Sequence, residues 1–356
     1  HQVQQKTERR ISAALRLVFV AALLLGQIAL AFFLSTELRQ RAAIIYTVLE
    51  LAAFGYAVRI YNRTDGTSYK FGWIFLVLTV PVVGLILYFL WNGDRQQKRL
   101  DLKKLPMPEE PEAQQAAHRI QMEKLRRKFP QWERLSVYLS RQGYLLYGDT
   151  ETKYLPTGEA FLQDMLEKLE QAEHFIFLEF FIIAQGQIWD RMEEIFRRKA
   201  AEGVEVKILF DDFGSMMRFP AGQIEALRES GVEVQIFNPV HHYVNRLYFN
   251  YRDHRKIVCI DGSTAYTGGA NVADEYANLT VRFGYWKDCG IRLDGPGAWG
   301  LTREFLHMWQ RNGGQLMQER DYYRPHDHRE AAGFCQPFVD GPDNNPISTA
   351  EDVFLH

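Results

Sequence analysis

The stretch that decides the fold runs from His254 to Asn271 and reads HRKIVCIDGSTAYTGGAN. Its apolar segment, from Lys256 to Ile260, predicts a strand. His254 and Lys256 are two residues apart, so on extended backbone both side chains leave the same face. An imidazole beside a fixed ammonium suits attack on a phosphodiester, because the ring nitrogen is a nucleophile and the lysine neutralises charge on the phosphoryl oxygens.

The remainder of this stretch carries groups that suit a phosphate site. Gly268 and Gly269 let the backbone approach a phosphate closely, and Asn271 can donate a side-chain hydrogen bond to a phosphoryl oxygen. Asp261 lies on the opposite strand face from His254, so we expect it to hold the loop rather than touch phosphate. The alternative is that His254 caps a strand end and its lysine neighbour is solvated. We favour the phosphate site, because Asp261, the pair Gly268-Gly269 and Asn271 all follow Lys256 within 15 residues.

From about residue 136 onward, short apolar runs alternate with helical patterns. Four runs predict strands, over 174–183, 204–210, 232–237 and 256–260. Two helical patterns cover 158–171 and 189–201. Thr157 is a suitable N-cap for the first of these helices. Strand–helix–strand alternation implies a mostly parallel sheet flanked by helices, so we predict an α/β domain over 136–340.

Residues 1–92 are predicted to form a membrane region with two or three transmembrane helices. The runs 17–34 and 72–91 carry no charge, and each is long enough to cross about 30 Å of hydrocarbon. The run 42–58 is the third candidate, and we expect its Glu50 to face a neighbouring helix. An interfacial helix is the alternative for that run. A buried soluble helix is the alternative for the two uncharged runs, and a cleaved signal peptide is a further alternative for the first of them.

Two further features concern the edges of this region. Pro81 and Gly84 predict a kink, or a re-entrant hairpin, in the last apolar run. The basic flanks do not decide the orientation of three spans, but with two spans the basic stretch 95–104 favours the cytosolic side. Residues 93–135 form a predicted charged connector, with a polar helix over 112–128. We interpret it as a solvated spacer, whose basic residues can also contact anionic headgroups.

The overall composition excludes several classes of protein. Lys and Arg total 42 and Asp and Glu total 44, giving a net charge of −2, so a nucleic-acid partner is not expected. Three cysteines are too few and too scattered for a disulfide framework or a zinc site. The pair His241-His242 has no Cys or carboxylate at ligand spacing, and we expect no metal.

The motif stretch resembles the HKD motif of the phospholipase D superfamily, with every motif position present. Several other stretches narrow the resemblance to bacterial cardiolipin synthases. These are WIFLVLTVPVVGLILYFLWNG at 73–93, FLEFFII at 177–183, ILFDDFGS at 208–215, GGANVADEYANL at 268–279, FGYWKDCGIRLDGP at 283–296 and QPFVDGP at 336–342. The likeness covers roughly residues 68–356, whereas the residues before it match only as apolar helices.

This resemblance implies transfer of a phosphatidyl group between two phosphatidylglycerol molecules, without a metal or organic cofactor. His254 would form a phosphohistidine and release glycerol, and the hydroxyl of a second phosphatidylglycerol would then capture the phosphatidyl group. Lys256 and Asn271 map to phosphate-binding positions, and the resemblance groups Asp261 of the motif with His254 and Lys256 as a catalytic residue.

Weaker assignments follow from the same resemblance. Arg252 lies on the nucleophile's face and is a candidate for binding phosphate. Glu275 and Asp288 are candidates in the substrate site for orienting a histidine. The expected partners are phosphatidylglycerol and anionic membrane lipid, and the expected location is the bacterial plasma membrane, with several spans and a cytoplasmic catalytic domain.

One departure from the superfamily pattern stands out. Members use two HKD motifs, and the second histidine acts as general acid for the leaving group. No second His-x-Lys follows here, since His307, His326 and His328 lack the lysine. We expect that 341–356 begin a second half not present in this sequence; the alternative is a homodimer whose copies supply one motif each. A phospholipase D-type hydrolase, a superfamily nuclease and a non-catalytic lipid-binding scaffold remain rival hypotheses.

Overall fold

A computed structural model describes the chain over residues 21–22, 25–30, 32, 39–63, 67–91, 112–239, 252–282, 284–315, 318–324, 331, 333–341 and 349–355. Half of the apolar run 17–34, the connector as far as residue 111, and the pair His241-His242 lie outside these ranges. The described residues fall into two compact units, one before residue 92 and one from Glu112 onward.

The first unit contains three helices with defined bounds, and the described residues 25–30 before them are also helical. The three helices are α1 (Arg39–Tyr61), α2 (Thr67–Thr79) and α3 (Pro81–Trp91). Within the described residues, one helix is long and apolar enough to cross a membrane, namely the part of α1 from Ile44 to Tyr61, with a mean hydropathy of 1.4. This helix contains the run that was the third candidate from the sequence. Its Glu50 is exposed, so the described helices do not provide the neighbour that we expected for it.

The apolar run 72–91 is not one continuous helix, so the prediction of a single span there is wrong. It lies across α2 and α3, which are interrupted at Val80 just before Pro81. Of the two forms expected there, the structure shows the hairpin rather than a kink, because α2 and α3 pack against each other with the rings of Trp73 and Tyr88 5.5 Å apart. Gly84 packs against the backbone of the preceding helix, where an added Cβ would lie 2.5 Å from the carbonyl oxygen of Leu76. Proline removes one helical hydrogen bond and glycine permits the close approach, so these two residues explain the break.

The second unit is built around one seven-stranded sheet. Its strands are β1 (Glu151–Leu155), β2 (Phe175–Phe180), β3 (Glu205–Asp211), β4 (Glu233–Phe237), β5 (Lys256–Ile260), β6 (Thr264–Gly268) and β7 (Gly290–Asp294). The helices are α4 (Glu112–Lys128), α5 (Glu133–Arg141), α6 (Gly158–Leu169), α7 (Gln187–Ala201), α8 (Asp212–Ser215), α9 (Ala221–Glu229), α10 (Gly297–Arg311), α11 (Glu319–Tyr322) and α12 (Thr349–Leu355). The four strands and the helices expected from the sequence are confirmed, and Thr157 accepts the N-cap hydrogen bond from Ala160 N at 3.2 Å.

The sheet is mixed, so the prediction of a mostly parallel sheet is wrong. The strand order is β1-β7-β6-β5-β2-β3-β4, and only β2, β3 and β4 run parallel to one another. All other neighbours are antiparallel. The cause is local: strand–helix–strand alternation ends at β4, and a turn of three residues joins β5 to β6 as a hairpin. The motif strand β5 therefore lies in the middle of the sheet, antiparallel to β2.

Both faces of the sheet are buried beneath helices. On β2, Ile176 and Leu178 point into a core with residues of α6 and α7. The alternate residues Phe175 and Phe177 point to the other face, where α10 packs. Burial on both faces fixes the register of β2 and β5, and this register determines where the motif side chains emerge.

Candidate active site

His254 and Lys256 lie together at one end of the central strands. His254 precedes β5 and is exposed, whereas Lys256 begins the strand and is 5% exposed. Both contact Phe181, which follows β2: the imidazole and phenyl centroids are 4.8 Å apart, and the ammonium lies 5.6 Å from the ring centroid. The structure thus brings both side chains to the same phenyl ring, although His254 lies before the strand rather than on it, and their catalytic roles stay predictions.

The ammonium of Lys256 is held in a partly dehydrated position. It donates a hydrogen bond of 2.6 Å to the backbone carbonyl oxygen of His254. Burial lowers the pKa of Lys256 to about 8, while the charges of Asp253 and Asp288 oppose this decrease. At neutral pH the group remains a cation with little water around it, which strengthens its interaction with a phosphate oxygen.

The imidazole of His254 is biased toward its neutral form. Burial lowers its pKa below the ordinary value of 6.5, the charge of Lys256 lowers it further, and Asp253 acts in the opposite direction. A neutral imidazole has a free lone pair on one ring nitrogen, which a nucleophile needs. The pair therefore combines an available nucleophile with an adjacent positive charge.

Asn271 connects two loops at this end of the sheet. Its Oδ1 accepts a hydrogen bond from Ile182 N at 3.0 Å, and its Nδ2 donates one to Tyr276 Oη at 2.8 Å. The side chain is 3% exposed. These contacts join the segment after β6 to the segment after β2. One amide hydrogen is left for the predicted phosphate contact, which stays a prediction.

The two motif glycines allow close approach by other parts of the protein. A Cβ on Gly268 would lie 2.6 Å from the carbonyl oxygen of Cys289, at the start of β7. A Cβ on Gly269 would collide with the carboxylate of Asp288. Asp288 also accepts a hydrogen bond from Cys289 N at 2.8 Å. Glycine at 269 is therefore required to place this carboxylate near Lys256, whose pKa it raises.

Asp261 lies at the opposite end of β5 from the His254 imidazole. Its carboxylate accepts hydrogen bonds from the backbone N–H groups of Glu173, His174 and Phe175 at 2.7–2.8 Å. The residue has a φ of 52°, a conformation that Asp tolerates better than most residues. This geometry agrees with the expectation that Asp261 holds the loop, and it attaches the start of β2 to the end of the motif strand.

Arg252 belongs to a buried ionic cluster just before the motif histidine. Its guanidinium lies 3.3 Å from Asp211 Oδ1 and donates to the carbonyl oxygen of Asn238 at 3.2 Å. Asp211 also accepts a hydrogen bond from Asp253 N at 2.9 Å. Burial raises the pKa of Asp211 to about 7, although Arg252 lowers it. The cluster fixes the backbone that leads into His254, and the phosphate contact of Arg252 remains a prediction.

Glu275 forms ion pairs with two arginines. Arg218 binds its carboxylate through two hydrogen bonds of 2.5 and 2.6 Å, and Arg282 lies 3.1 Å away. Burial alone would raise the pKa of Glu275, but the arginines lower it overall. These contacts position Arg218 and Arg282. Orientation of a histidine by this carboxylate stays a prediction.

A buried ion pair that was not predicted from the sequence supports the motif strand on the opposite face of the sheet. Arg255 lies between the two motif residues and points to the other face, where its guanidinium is 3.5 Å from Glu179 Oε1 of β2. The side chains are 5% and 0% exposed. A single carboxylate within the apolar strand FIFLEF was the available signal, because a buried charge needs a partner.

A cavity of about 420 Å³ adjoins the motif strand. It is lined mainly by apolar side chains of β5, β7 and α10, and by the segment from Cys335 to Asp340. As for metal ligands, no group of three His, Cys, Asp or Glu side chains is clustered within the ranges that the structure describes. The site therefore consists of a nucleophile, a cation and an apolar recess.

The amino-acid sequence matches two family models. The model described as cardiolipin synthase, PLD-like domain, covers residues 165–281, which include the whole motif. The model described as phospholipase D-nuclease N-terminal covers residues 51–92. An α/β domain with this motif strand is thus a phospholipase D-like domain.

Known relatives point to the same group. An uncharacterized protein of Streptococcus mutans is 35% identical over 85% of this chain and 65% of its own length. Cardiolipin synthase 2 of Bacillus anthracis is 31% identical over 83% of this chain and 57% of its own length. Among solved structures, NucT from Helicobacter pylori overlaps 46% of this chain and 97% of its own, with a TM-score of 0.36 and 10% identity.

Residues 165–281 thus match the phospholipase D-like domain of cardiolipin synthases, and the chain is about 30% identical to cardiolipin synthases of Bacillus species over most of its length. It spans between about half and two thirds of the length of the curated relatives that it matches.

Proposed function

We propose that the protein to which this chain belongs transfers a phosphatidyl group between two phosphatidylglycerol molecules, forming cardiolipin and glycerol. One observation carries the proposal: the exposed imidazole of His254, with its lowered pKa, lies beside the buried ammonium of Lys256. The match of residues 165–281 to a cardiolipin synthase domain supports a phospholipid as the substrate, and the match over 51–92 supports a membrane location.

The reaction has two steps. First, a ring nitrogen of His254 attacks the phosphorus of one phosphatidylglycerol; a P–N bond forms, the P–O bond to the headgroup glycerol breaks, and the departing oxygen takes up a proton. Second, a headgroup hydroxyl of another phosphatidylglycerol attacks the phosphohistidine. A new P–O bond forms, the P–N bond breaks and regenerates the neutral imidazole, and the hydroxyl gives its proton to the group that protonated the departing glycerol. Lys256 neutralises the phosphoryl oxygens in both steps, and Gly268, Gly269 and Asn271 complete the phosphate site.

The proton for the departing glycerol must come from an acid. We propose a second histidine, of the kind used throughout the superfamily, supplied either by further chain or by a second copy. We also propose a multi-pass arrangement in the bacterial plasma membrane with the α/β unit on the cytoplasmic side. The apolar helix α1 supports the membrane part of this proposal.

The test uses the full-length protein in phosphatidylglycerol vesicles, with cardiolipin, phosphatidic acid and glycerol quantified by mass spectrometry. We expect cardiolipin and glycerol in equal amounts. His254→Gln should lower turnover by about a thousandfold or more, because it removes the nucleophile. His174→Gln is the matched control, since His174 is an exposed histidine at the opposite end of β2.

Three other results would contradict parts of this proposal. Phosphatidic acid without cardiolipin would mean that water is the acceptor and that the protein is a hydrolase. Unchanged turnover in His254→Gln would refute the nucleophile assignment. Binding of anionic lipid without any turnover by the wild type would favour the non-catalytic scaffold.

A further inference from the structure

We propose that the corner between α4 and α5 docks onto an anionic lipid bilayer. This basic corner comprises residues 126–134, with a 3₁₀ turn from Pro130 to Trp132 between the two helices. The choice of phosphatidylglycerol as its partner rests on the proposed function. The argument for docking rests on exposure and charge.

The corner has a defined shape. The N–H of Phe129 donates to Leu125 at the end of α4, and the N–H of Trp132 donates to the carbonyl oxygen of Phe129. The guanidinium of Arg126 then meets Glu133 at 2.6 Å and ties the two helix ends together. The side chains of the corner are therefore presented on a stable turn.

Large apolar side chains are exposed at this corner. Trp132 is 56% exposed and Phe129 is 38% exposed, and Ile120 on the preceding helix is 56% exposed. Behind the two aromatic residues lies an apolar groove of about 450 Å³, lined also by Leu125, Leu135, Leu139, Phe334 and Phe338. A clustered apolar surface of this kind indicates an interaction site, and Trp favours the membrane–water interface because its ring is apolar with a polar N–H.

The same corner is strongly basic in a chain that is nearly neutral. Between residues 119 and 134 the sequence has six Lys or Arg and only two acidic residues. Both acidic residues are already paired, Glu133 with Arg126 and Glu123 with Arg127. Arg127 and Lys128 stand exposed directly beside Phe129. Basic side chains that flank exposed aromatic rings match a bilayer of anionic lipid, where the cations meet phosphates and the rings enter the interface.

The experiment measures the depth of Trp132 without any turnover. The full-length protein is reconstituted in nanodiscs of phosphatidylglycerol with or without brominated acyl chains, and the emission of Trp132 is isolated as the difference between wild type and Trp132→Phe. We expect brominated phosphatidylglycerol to quench this emission by at least about half. Brominated phosphatidylcholine should quench it less, because the electrostatic attraction is lost.

A variant that removes two positive charges from the corner provides a second test. Arg127→Gln/Lys128→Gln should shift the docking equilibrium by about fivefold per charge, which is on the order of 1 kcal/mol each, and should reduce the quenching of Trp132 accordingly. Lys168→Gln/Arg191→Gln removes the same charge from α6 and α7 and should leave the quenching unchanged.

Two results would overturn the proposal. One is Trp132 emission that is equal with and without bromine. The other is emission that changes only with protein concentration, which would assign the corner to a protein partner such as a second copy. Because the signal needs no catalysis, docking and cardiolipin formation can succeed or fail independently in these measurements.

Discussion

At the scale of single residues, the proposed reaction requires a neutral His254 and a protonated Lys256. The nucleophile must be neutral, and its pKa is held below 6.5, so activity should rise through the acidic range and be fully developed at neutral pH. Lys256 must be protonated, and its pKa is about 8, so activity should fall as pH rises through that value.

A single substitution tests this assignment. Arginine stays charged at any accessible pH, so Lys256→Arg should lower turnover through altered geometry but move the alkaline limb of kcat/KM upward from about pH 8. The measurement is a pH–rate profile of the full-length protein, with Lys168→Arg as a control that should retain the wild-type limb. An alkaline limb that stays near pH 8 in Lys256→Arg would assign that titration to another group.

Asp261 allows a second test at this scale. Asp261→Ala removes the acceptor of three backbone N–H groups at the start of β2, so we expect a loss of about 2–3 kcal/mol in the free energy of unfolding. Asp261→Asn keeps one acceptor oxygen and a residue that tolerates positive φ, so its loss should be smaller. Thermal unfolding and the hydrogen exchange of Phe175 N–H measure the loss of stability in both variants. Equal losses in the two variants would show that the carboxylate contacts contribute little.

At the scale of elements, the ion pair between Glu179 and Arg255 joins the two central strands behind the motif. Because Arg255 lies between His254 and Lys256, its anchoring should fix how the motif strand presents both groups. Removing one partner leaves a buried charge, so Glu179→Leu should destabilise the protein by about 3–5 kcal/mol.

A double-mutant cycle tests the coupling. Glu179→Leu/Arg255→Met removes both charges and should be more stable than Glu179→Leu alone. Additive effects of the two single substitutions would mean that the pair does not act as a unit. Circular dichroism of the full-length protein in detergent provides the unfolding data.

The strands and helices differ in how well the sequence predicts them. Strands β2 to β5 are apolar runs, and α6 and α7 carry apolar residues at helical spacing, so all of them were predictable. Strands β1, β6 and β7 read ETKYL, TAYTG and GIRLD. Their glycines and polar residues mask the strand pattern, and the antiparallel half of the sheet was missed with them. Within the site, the two-residue spacing of His254 and Lys256 on extended backbone was enough to predict that they lie close together, although His254 precedes β5. The pairing of Glu179 with Arg255 depends on the register between two distant strands, which periodicity does not supply.

At the scale of the whole molecule, the source of the second histidine can be tested by mixing copies. We propose co-expressing wild-type and His254→Gln copies at known ratios and measuring cardiolipin formation per mole of protein. If two copies combine one motif each and both histidines are needed, activity should follow the square of the wild-type fraction. If one chain supplies both histidines, activity should follow that fraction linearly, and a linear result would rule out the shared site.

The mixed sheet also has a consequence for biosynthesis. Of the strands that the structure describes, β1 is the first to leave the ribosome, and within that sheet it pairs only with β7, made roughly 135 residues later. At about 5–20 residues per second, this interval is on the order of 10 s. The parallel strands and the motif hairpin can assemble during that wait, whereas β1 remains without its partner until translation has nearly reached α10. At this edge of the sheet, the strand that is synthesised first is therefore the last one to be paired.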